Sequence, residues 1–237
     1  MCEHHDIYLE TKKTMNNRLL KTLKQNYPNV LIVMASKYLQ TFTDFKAFLD
    51  AGVVDFGENR DDALKSKQVI LQDYPIHWHF IGTLQTKKVK HIIDHIDVLH
   101  SLDRIKLAQE INRRRSRPLD CYLQVNISSE DQKHGFAPQQ LGEAIEAVKP
   151  LQNIRLIGLM GMAEETDDES RIRTQFNLLK QLRDYYQKEL PDLTGLSMGM
   201  SQDYHIALEV GATVLRLGRI LLDGGTVWED KNPHITV

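Results

Sequence analysis

The sequence predicts a single (β/α)8 barrel of the TIM type, preceded by an extra N-terminal helix. Eight short apolar runs are spaced along the 237 residues, and a segment with helical periodicity lies between each successive pair. Strands that are apolar almost throughout, and that are joined by helical crossovers, indicate a parallel sheet covered on both faces. Eight such units in about 200 residues favour closure into a barrel; a doubly wound open sheet is the alternative.

The predicted elements follow the chain in order. A helix over residues 8–26 comes first, because leucines recur along one side of it. After the first strand, Phe45, Phe48 and Leu49 mark a helix that Gly52 ends. The eight strands are predicted at residues 30–35, 53–57, 76–82, 97–103, 121–128, 154–162, 196–200 and 213–218. The later helices are predicted near residues 60–73, 89–96, 103–115, 138–149, 168–189 and 201–210.

Composition and charge narrow the class of protein. Apolar residues make up 41% of the chain, enough for a sizeable core, and the formal net charge of −2 gives no field that draws the protein to nucleic acid or membrane. Two cysteines, Cys2 and Cys121, are too few for a disulfide framework. We see no secretory signal and no apolar stretch near the ~20 residues that span a bilayer. We therefore expect a cytoplasmic protein with one domain over residues 1–237.

Polar and reactive residues follow several of the predicted strands. In a barrel of this type, the active face lies at the carboxyl ends of the strands. The residues that end these strands include Lys37, Asn59, Ser201, Arg216, Gly218 and Arg219.

The ends of strands seven and eight indicate a phosphate site, because these loops often bind phosphate in such barrels. Ser201 is predicted at a helix start, where its hydroxyl and the free backbone N–H groups can face an anion. Gly218 lets the backbone approach a ligand closely. The simpler interpretation, in which Ser201 only caps a helix and Gly218 only forms a turn, stays open on these residues alone.

Lys37 follows the apolar run VLIVMAS at residues 30–36, and a solvated lysine at a strand end is the ordinary interpretation. If the same mouth holds a phosphate, pyridoxal phosphate (PLP) satisfies both features, since it has an aldehyde for the amine and a phosphate for the cradle. The amine reacts in its neutral form. The ordinary lysine pKa is about 10.4, so desolvation or a nearby cation must lower it. Arg216 is either that cation or a group that faces the ring nitrogen.

A series of motifs then points to a family. They are ASK at 35–37, FGENR at 56–60, WHFIGTLQTKKVK at 78–90, HSLD at 100–103, VNISSEDQKHGF at 125–136, GLMGMA at 158–163, LSMGMSQDY at 196–204 and GATVLRLG at 211–218. In their order and spacing, the chain resembles the pyridoxal-phosphate homeostasis protein family, whose barrel is similar to the N-terminal domain of alanine racemase. The resemblance covers roughly residues 15–222.

The resemblance implies roles for the candidate residues. Lys37 would form the Schiff base with PLP, Ser201 and the backbone at Gly218 and Arg219 would hold the phosphate, and Arg216 would face the pyridine nitrogen. Asn59 would line the cofactor from the second strand.

The sequence departs from the family pattern in three places. Arg219 stands where the family usually has threonine, so a hydroxyl contact to the phosphate would be lost while the backbone N–H remains. Lys87 replaces an asparagine in the GTLQTKK motif, and LLDGG at 221–225 replaces the usual phenylalanine-glycine ending.

The resemblance implies a protein that carries or buffers PLP in intracellular homeostasis, or delivers it to PLP-dependent apo-enzymes, without efficient turnover and with no catalytic residue of its own. The alternatives are a racemase-like PLP enzyme and a binding protein for another phosphorylated metabolite. Alanine racemases take a second acid–base group from a tyrosine on a partner's C-terminal domain, whereas this sequence ends at Val237, just past the barrel. We expect a monomer.

Two further patterns are interpreted as structural. The basic run RRRSR at 113–117 lies at a predicted helix end, where cations suit the helix dipole, and we expect no binding to nucleic acid. His77 and His79 alternate along a strand as metal ligands would, but neither a carboxylate nor a cysteine nearby completes a set, and we expect no metal.

Overall fold

The strands close into a parallel barrel in which each strand pairs with the next and β8 pairs with β1. The computed structural model describes residues 15–128 and 134–222. The strands are β1 Leu31–Ala35, β2 Asp55–Glu58, β3 His77–Phe80, β4 Val98–Leu102, β5 Leu119–Gln124, β6 Ile154–Met160, β7 Gly195–Ser197 and β8 Val214–Leu217. The predicted fold class is confirmed. The alternative, an open sheet, is wrong, because β1 and β8 would be its unpaired outer strands, whereas here they pair with each other.

Helices follow the strands around the outside of the barrel. They are α1 Asn17–Asn26, α2 Phe42–Asp50, α3 Asp61–Ile70, α4 Val89–Ile92, α5 Ile105–Arg114, α6 Leu141–Val148, α7 Glu169–Tyr186 and α8 Tyr204–Val210. Two one-turn 3₁₀ helices matter for the site: Ser36–Tyr38 follows β1, and Arg219–Leu221 follows β8.

The extra N-terminal helix, α1, is confirmed from Asn17 onward, while residues 8–14 of the prediction lie outside the described residues. The side chain of Asn16 caps the helix by accepting a hydrogen bond from the amide of Leu19 at 3.1 Å. The amide of Asn16 also donates to the carbonyl of Leu221 at 2.8 Å. The extra helix is thereby attached to the turn that follows β8.

Two apolar clusters hold the barrel together. The larger one fills the layer between strands and helices, where side chains such as Phe45, Phe56 and Phe176 are fully buried. The smaller one lies inside the barrel and consists of Val33, Tyr122, Met160 and Val214. Several polar side chains are buried as well, among them His79, His100, Ser197 and Arg216.

None of the helices within the described residues combines the length and the apolar character needed to cross a bilayer. The basic run at the end of α5 is engaged within the protein. Arg113 and Arg114 pair with Glu110, and Arg115 donates to the carbonyl of Ile96 at 3.3 Å.

Candidate cofactor-binding site

Lys37 lies on the 3₁₀ turn that follows β1, and its side chain is exposed. Its Nζ is 5.6 Å from the ring centroid of Tyr38. The residue two positions earlier, Ala35, pairs in register with Gly57 of β2. On the other side of β1, a Cβ built on Gly218 would lie 3.5 Å from the Cβ of Ala35. Lys37 therefore leaves the barrel between the ends of β2 and β8.

Asn59 lies at the end of β2 and is exposed. Because Ala35 and Gly57 are in register, Asn59 and Lys37 each stand two residues beyond the same row of the sheet. Asn59 lines a cleft of about 370 Å³ that Arg60, Phe80, Thr83, Leu84, Gln85 and Lys88 also border, together with Asp61 and Asp62. The structure thus brings two predicted site residues to one edge.

Gly82 permits the close packing beneath Asn59. A Cβ at position 82 would lie 2.3 Å from the carbonyl oxygen of Asn59, closer than any real contact. The loop that carries Asn59 can follow this path only because position 82 has no side chain.

Ser201 lies in a turn before α8, so the prediction that it begins the helix is wrong. The amides of Asp203 and Tyr204 donate to the carbonyl of Met200 at 3.2 and 2.9 Å, and the Asp203 side chain accepts from the Met200 amide at 2.6 Å. These contacts close a turn over residues 200–203, and the helix begins only at Tyr204. Burial raises the pKa of Asp203, although its hydrogen bond from Met200 opposes the shift.

The turn after β8 meets Ser201. The Ser201 hydroxyl oxygen accepts a hydrogen bond from the amide of Ile220 at 3.4 Å. Gly218 is buried just before the turn, and Arg219 begins the turn with an exposed side chain. The structure therefore places the three predicted phosphate-binding residues together, and β8 lies beside β1, which is followed by the turn that holds Lys37.

Arg216 points into the barrel, where it is 4% exposed. One guanidinium nitrogen donates to the Ser197 hydroxyl at 2.6 Å, and the other donates to the Gly161 carbonyl at 3.1 Å. Burial lowers the pKa of Arg216 to about 10, against the effect of Asp203 and Tyr122. A pKa of about 10 leaves the side chain cationic at neutral pH.

A chain of hydrogen bonds extends from Arg216 across the barrel; we call it the interior relay. Ser197 lies 2.8 Å from His100 Nδ1, His100 Nε2 lies 2.9 Å from His79 Nδ1, and His79 Nε2 lies 3.1 Å from a carboxylate oxygen of Asp55. The relay therefore consists of Arg216, Ser197, His100, His79 and Asp55 and joins strands β8, β7, β4, β3 and β2.

With both imidazoles neutral, one set of directions satisfies every hydrogen bond in the relay. An ionised carboxylate only accepts, so His79 donates from Nε2 and accepts at Nδ1. His100 then donates from Nε2 and accepts from the Ser197 hydroxyl at Nδ1. Ser197 in turn accepts from Arg216, which has only donors. Burial holds the pKa of His100 well below its usual range, which keeps this imidazole neutral as the relay requires.

The sequence analysis named Arg216 and His79, but it did not predict the interior relay that joins them. The usable signal was the alternation of side chains along a strand. It places His79, in the HWHF run of β3, and His100, in the LHSL run of β4, on the inward face of the barrel. Among the described residues, no group of three or more histidine, cysteine or carboxylate side chains is arranged to hold a metal ion.

Comparison with known proteins gives the class to which this barrel belongs. The family model for the N-terminal domain of alanine racemase matches residues 18–224. The fold and the site on its strand ends therefore define an alanine-racemase-type barrel.

Individual relatives narrow the class. The chain is 38% identical over 180 residues to the pyridoxal phosphate homeostasis protein of Aquifex aeolicus, covering 74% of this chain and 79% of that one. It is 33% identical over 217 residues to the protein of the same name from Schizosaccharomyces pombe, covering 89% and 91%. The structure of PipY from Synechococcus elongatus PCC7942 with PLP bound superposes with a TM-score of 0.78 at 30% identity, covering 86% of this chain and 97% of PipY. The chain belongs to the pyridoxal phosphate homeostasis protein family, which confirms the resemblance found in the motifs.

Proposed function

We propose that this protein binds pyridoxal 5'-phosphate covalently at Lys37 and carries or buffers it in intracellular PLP homeostasis, without efficient turnover of its own. The observation that carries the proposal is the direct pairing of β8 with β1. This pairing sets the turn at Arg219–Leu221, with Ser201 against it, beside the turn that presents Lys37. The PLP bound to PipY and the names of the two relatives support the choice of ligand.

The donors at this edge suit a phosphate group. Ser201 offers a hydroxyl, and the amide of Arg219, which begins the turn after β8, has no acceptor within that turn. Gly218 adds no side chain between this backbone and a ligand. Arg219, in place of the family's usual threonine, brings a positive charge to the same place. The residues present therefore fit the phosphate of PLP.

The covalent step uses the exposed amine of Lys37. PLP supplies an electrophilic aldehyde when it is bound. The neutral Nζ attacks the aldehyde carbon, a C=N double bond forms, and the aldehyde oxygen leaves as one water with the two amine protons. Asn59, two residues beyond the same row of the sheet, would line the ring of the cofactor.

Arg216 accounts for the absence of efficient turnover in the proposal. Its guanidinium has five N–H donors and no acceptor, and two of them bond to Ser197 and Gly161. A further donor aimed at the pyridine nitrogen would keep that nitrogen unprotonated, which weakens the ring as an electron sink. This arrangement favours a carrier over the racemase-like alternative.

Other parts of the proposal rest on the sequence. We propose that residues 1–237 form one domain, that the protein acts as a monomer in the cytoplasm, and that PLP-dependent apo-enzymes receive its cofactor. Of these statements, the structure of the described residues bears only on the barrel.

The test is a titration with PLP followed by visible absorbance. Lys37→Ala is expected to abolish the band of the C=N linkage. Lys87→Ala is the matched control, since Lys87 is an exposed lysine on the turn Thr86–Lys88 after β3, and it is expected to retain the band. A full band in Lys37→Ala would contradict the proposal.

A further inference from the structure

A buried ion pair lies directly beneath the ends of β1 and β2. The ammonium of Lys67, on α3, contacts a carboxylate oxygen of Glu58, at the end of β2. The side chains of Lys67 and Glu58 are only 3% and 1% exposed. Neither residue belongs to the candidate site, and a lysine on a polar helix is usually solvated.

The three hydrogens of the Lys67 ammonium have three acceptors. Besides Glu58, they are the backbone carbonyl of Ser36 at 2.6 Å and the Ser36 hydroxyl at 3.3 Å. Ser36 is fully buried and immediately precedes Lys37. Lys67 therefore holds the peptide unit from which the exposed amine of Lys37 extends.

Glu58 holds the neighbouring loop through its second oxygen. That oxygen accepts hydrogen bonds from the amides of Asn59 at 2.7 Å and Arg60 at 3.3 Å. The first oxygen of Glu58, which contacts Lys67, also lies 3.1 Å from the Ser36 hydroxyl. One ion pair thus connects the backbone at Lys37 with the backbone at Asn59.

Stability alone does not explain a buried ion pair at this position. Removing two charges from water costs several kcal/mol per ion, and replacing such a pair with apolar residues of similar volume is often neutral or stabilising. An apolar pair at positions 58 and 67 would satisfy the core, but it would not hold the Ser36 carbonyl or the Asn59 amide. The ion pair therefore serves to hold two loops in position.

We propose that Glu58 and Lys67 are positioning residues that orient Lys37 and Asn59 toward the cofactor. The inference rests on the proposed function, because it assumes that Lys37 is the residue that PLP modifies. Both residues act through the backbone, since their contacts are with Ser36, Asn59 and Arg60. Their loss should weaken the covalent step more than the binding of the phosphate, whose predicted cradle lies at β8.

The test uses the double variant Glu58→Leu/Lys67→Met, which removes both charges together. The Ser36 carbonyl keeps its hydrogen bond from the Leu39 amide at 2.9 Å, so the variant leaves it with a partner. Lys46→Met is the matched control, because Lys46 forms an exposed ion pair with Asp50 on α2. Thermal unfolding is measured first, to establish that each variant is folded.

Each folded protein is then titrated with two ligands. PLP can react with Lys37, whereas pyridoxamine 5'-phosphate has the same ring and phosphate but no aldehyde. For the double variant, we expect an unfolding temperature at or above that of the wild type. Its affinity for PLP should fall at least about tenfold, as expected when a reacting group is misplaced, while its affinity for pyridoxamine 5'-phosphate should change less than about twofold. Lys46→Met should match the wild type with both ligands.

The ratio of the two affinities decides the outcome. An unchanged ratio, whether both ligands lose affinity or neither does, would overturn the positioning role. If the double variant does not fold, Glu58→Gln, which keeps the shape of the side chain, is titrated in the same way and judged by the same ratio. Failure of the proposed function is seen separately, as a wild-type protein that forms no covalent adduct at Lys37.

Discussion

Acidification should destabilise this protein through His100, and a single substitution isolates the effect. His100 is fully buried, and its ring nitrogens lie 2.9 Å from His79 Nδ1 and 2.8 Å from the Ser197 hydroxyl. Burial holds its pKa well below the ordinary histidine value of about 6.5. In the unfolded chain the same imidazole titrates near its ordinary pKa. Between the two pKa values the unfolded state binds the additional proton, so stability falls as the pH falls below about 6.5.

The size of the effect follows from that difference in pKa. While His100 stays neutral in the folded protein, each pH unit below the ordinary histidine pKa of about 6.5 removes up to about 1.4 kcal/mol from the free energy of unfolding. His100→Asn keeps an acceptor for Ser197 and removes the titrating group. Its own loss of stability on acidification should therefore be smaller than that of the wild type by the same amount.

The assay is urea unfolding at a series of pH values, analysed for the wild type and two variants. His91→Asn is the control, since it makes the same substitution at an exposed histidine on α4. It is expected to retain the pH dependence of the wild type. If His100→Asn and the wild type lose equal stability between pH 7.5 and pH 5.5, the reasoning about the neutral, buried His100 is refuted.

Three other predictions concern the ligand and the loop beneath it. Pyridoxal without its phosphate should bind at least tenfold more weakly than PLP, because charge-assisted hydrogen bonds such as that from Ser201 contribute roughly 1.5–3 kcal/mol each; equal affinities in equilibrium dialysis would rule out the cradle. Gly82→Ala should lower the free energy of unfolding by about 1–3 kcal/mol, because its Cβ would lie 2.3 Å from the Asn59 carbonyl oxygen. Gly218→Ala is the control and should unfold like the wild type, because the nearest atom to its Cβ lies at 3.5 Å. Equal unfolding temperatures for the two variants would contradict this. The PLP-loaded protein should not racemise L-alanine or L-serine in deuterated buffer at the usual enzyme rates of about 1–10³ s⁻¹, and chirality measurements that show such turnover would favour the racemase-like alternative.

The barrel could be predicted from the sequence because every strand leaves a local signal. A run such as Leu31–Ala35 is apolar on both faces, and helical periodicity separates it from the next run. The candidate residues at the strand ends followed from the same pattern, since barrel topology alone gathers Lys37, Asn59, Ser201 and Arg219 at one edge. The ends of several elements differ by a few residues from the prediction, and the helix start at Ser201 was wrong, because the hydrogen bond between Asp203 and Met200 closes a turn there.

The contacts beneath the site could not be predicted, because each joins residues that are distant in the sequence or ordinary in composition. His100 and Ser197 are 97 residues apart, and nothing local to either indicates the other. Lys67 occurs in a polar helix in which a solvated lysine is the normal case. Its burial depends on where α3 packs against the ends of β1 and β2, which is a property of the tertiary structure.

The most direct measurement of the central claim is the identity of the lysine that PLP modifies. The wild-type protein is incubated with PLP, reduced with borohydride, digested, and analysed by mass spectrometry. The account predicts one pyridoxyl phosphate group, on the peptide that contains Lys37, and its loss when phosphate-bearing competitors such as pyridoxamine 5'-phosphate are present in excess. A stoichiometric adduct on another lysine, or no adduct at all, would contradict the account.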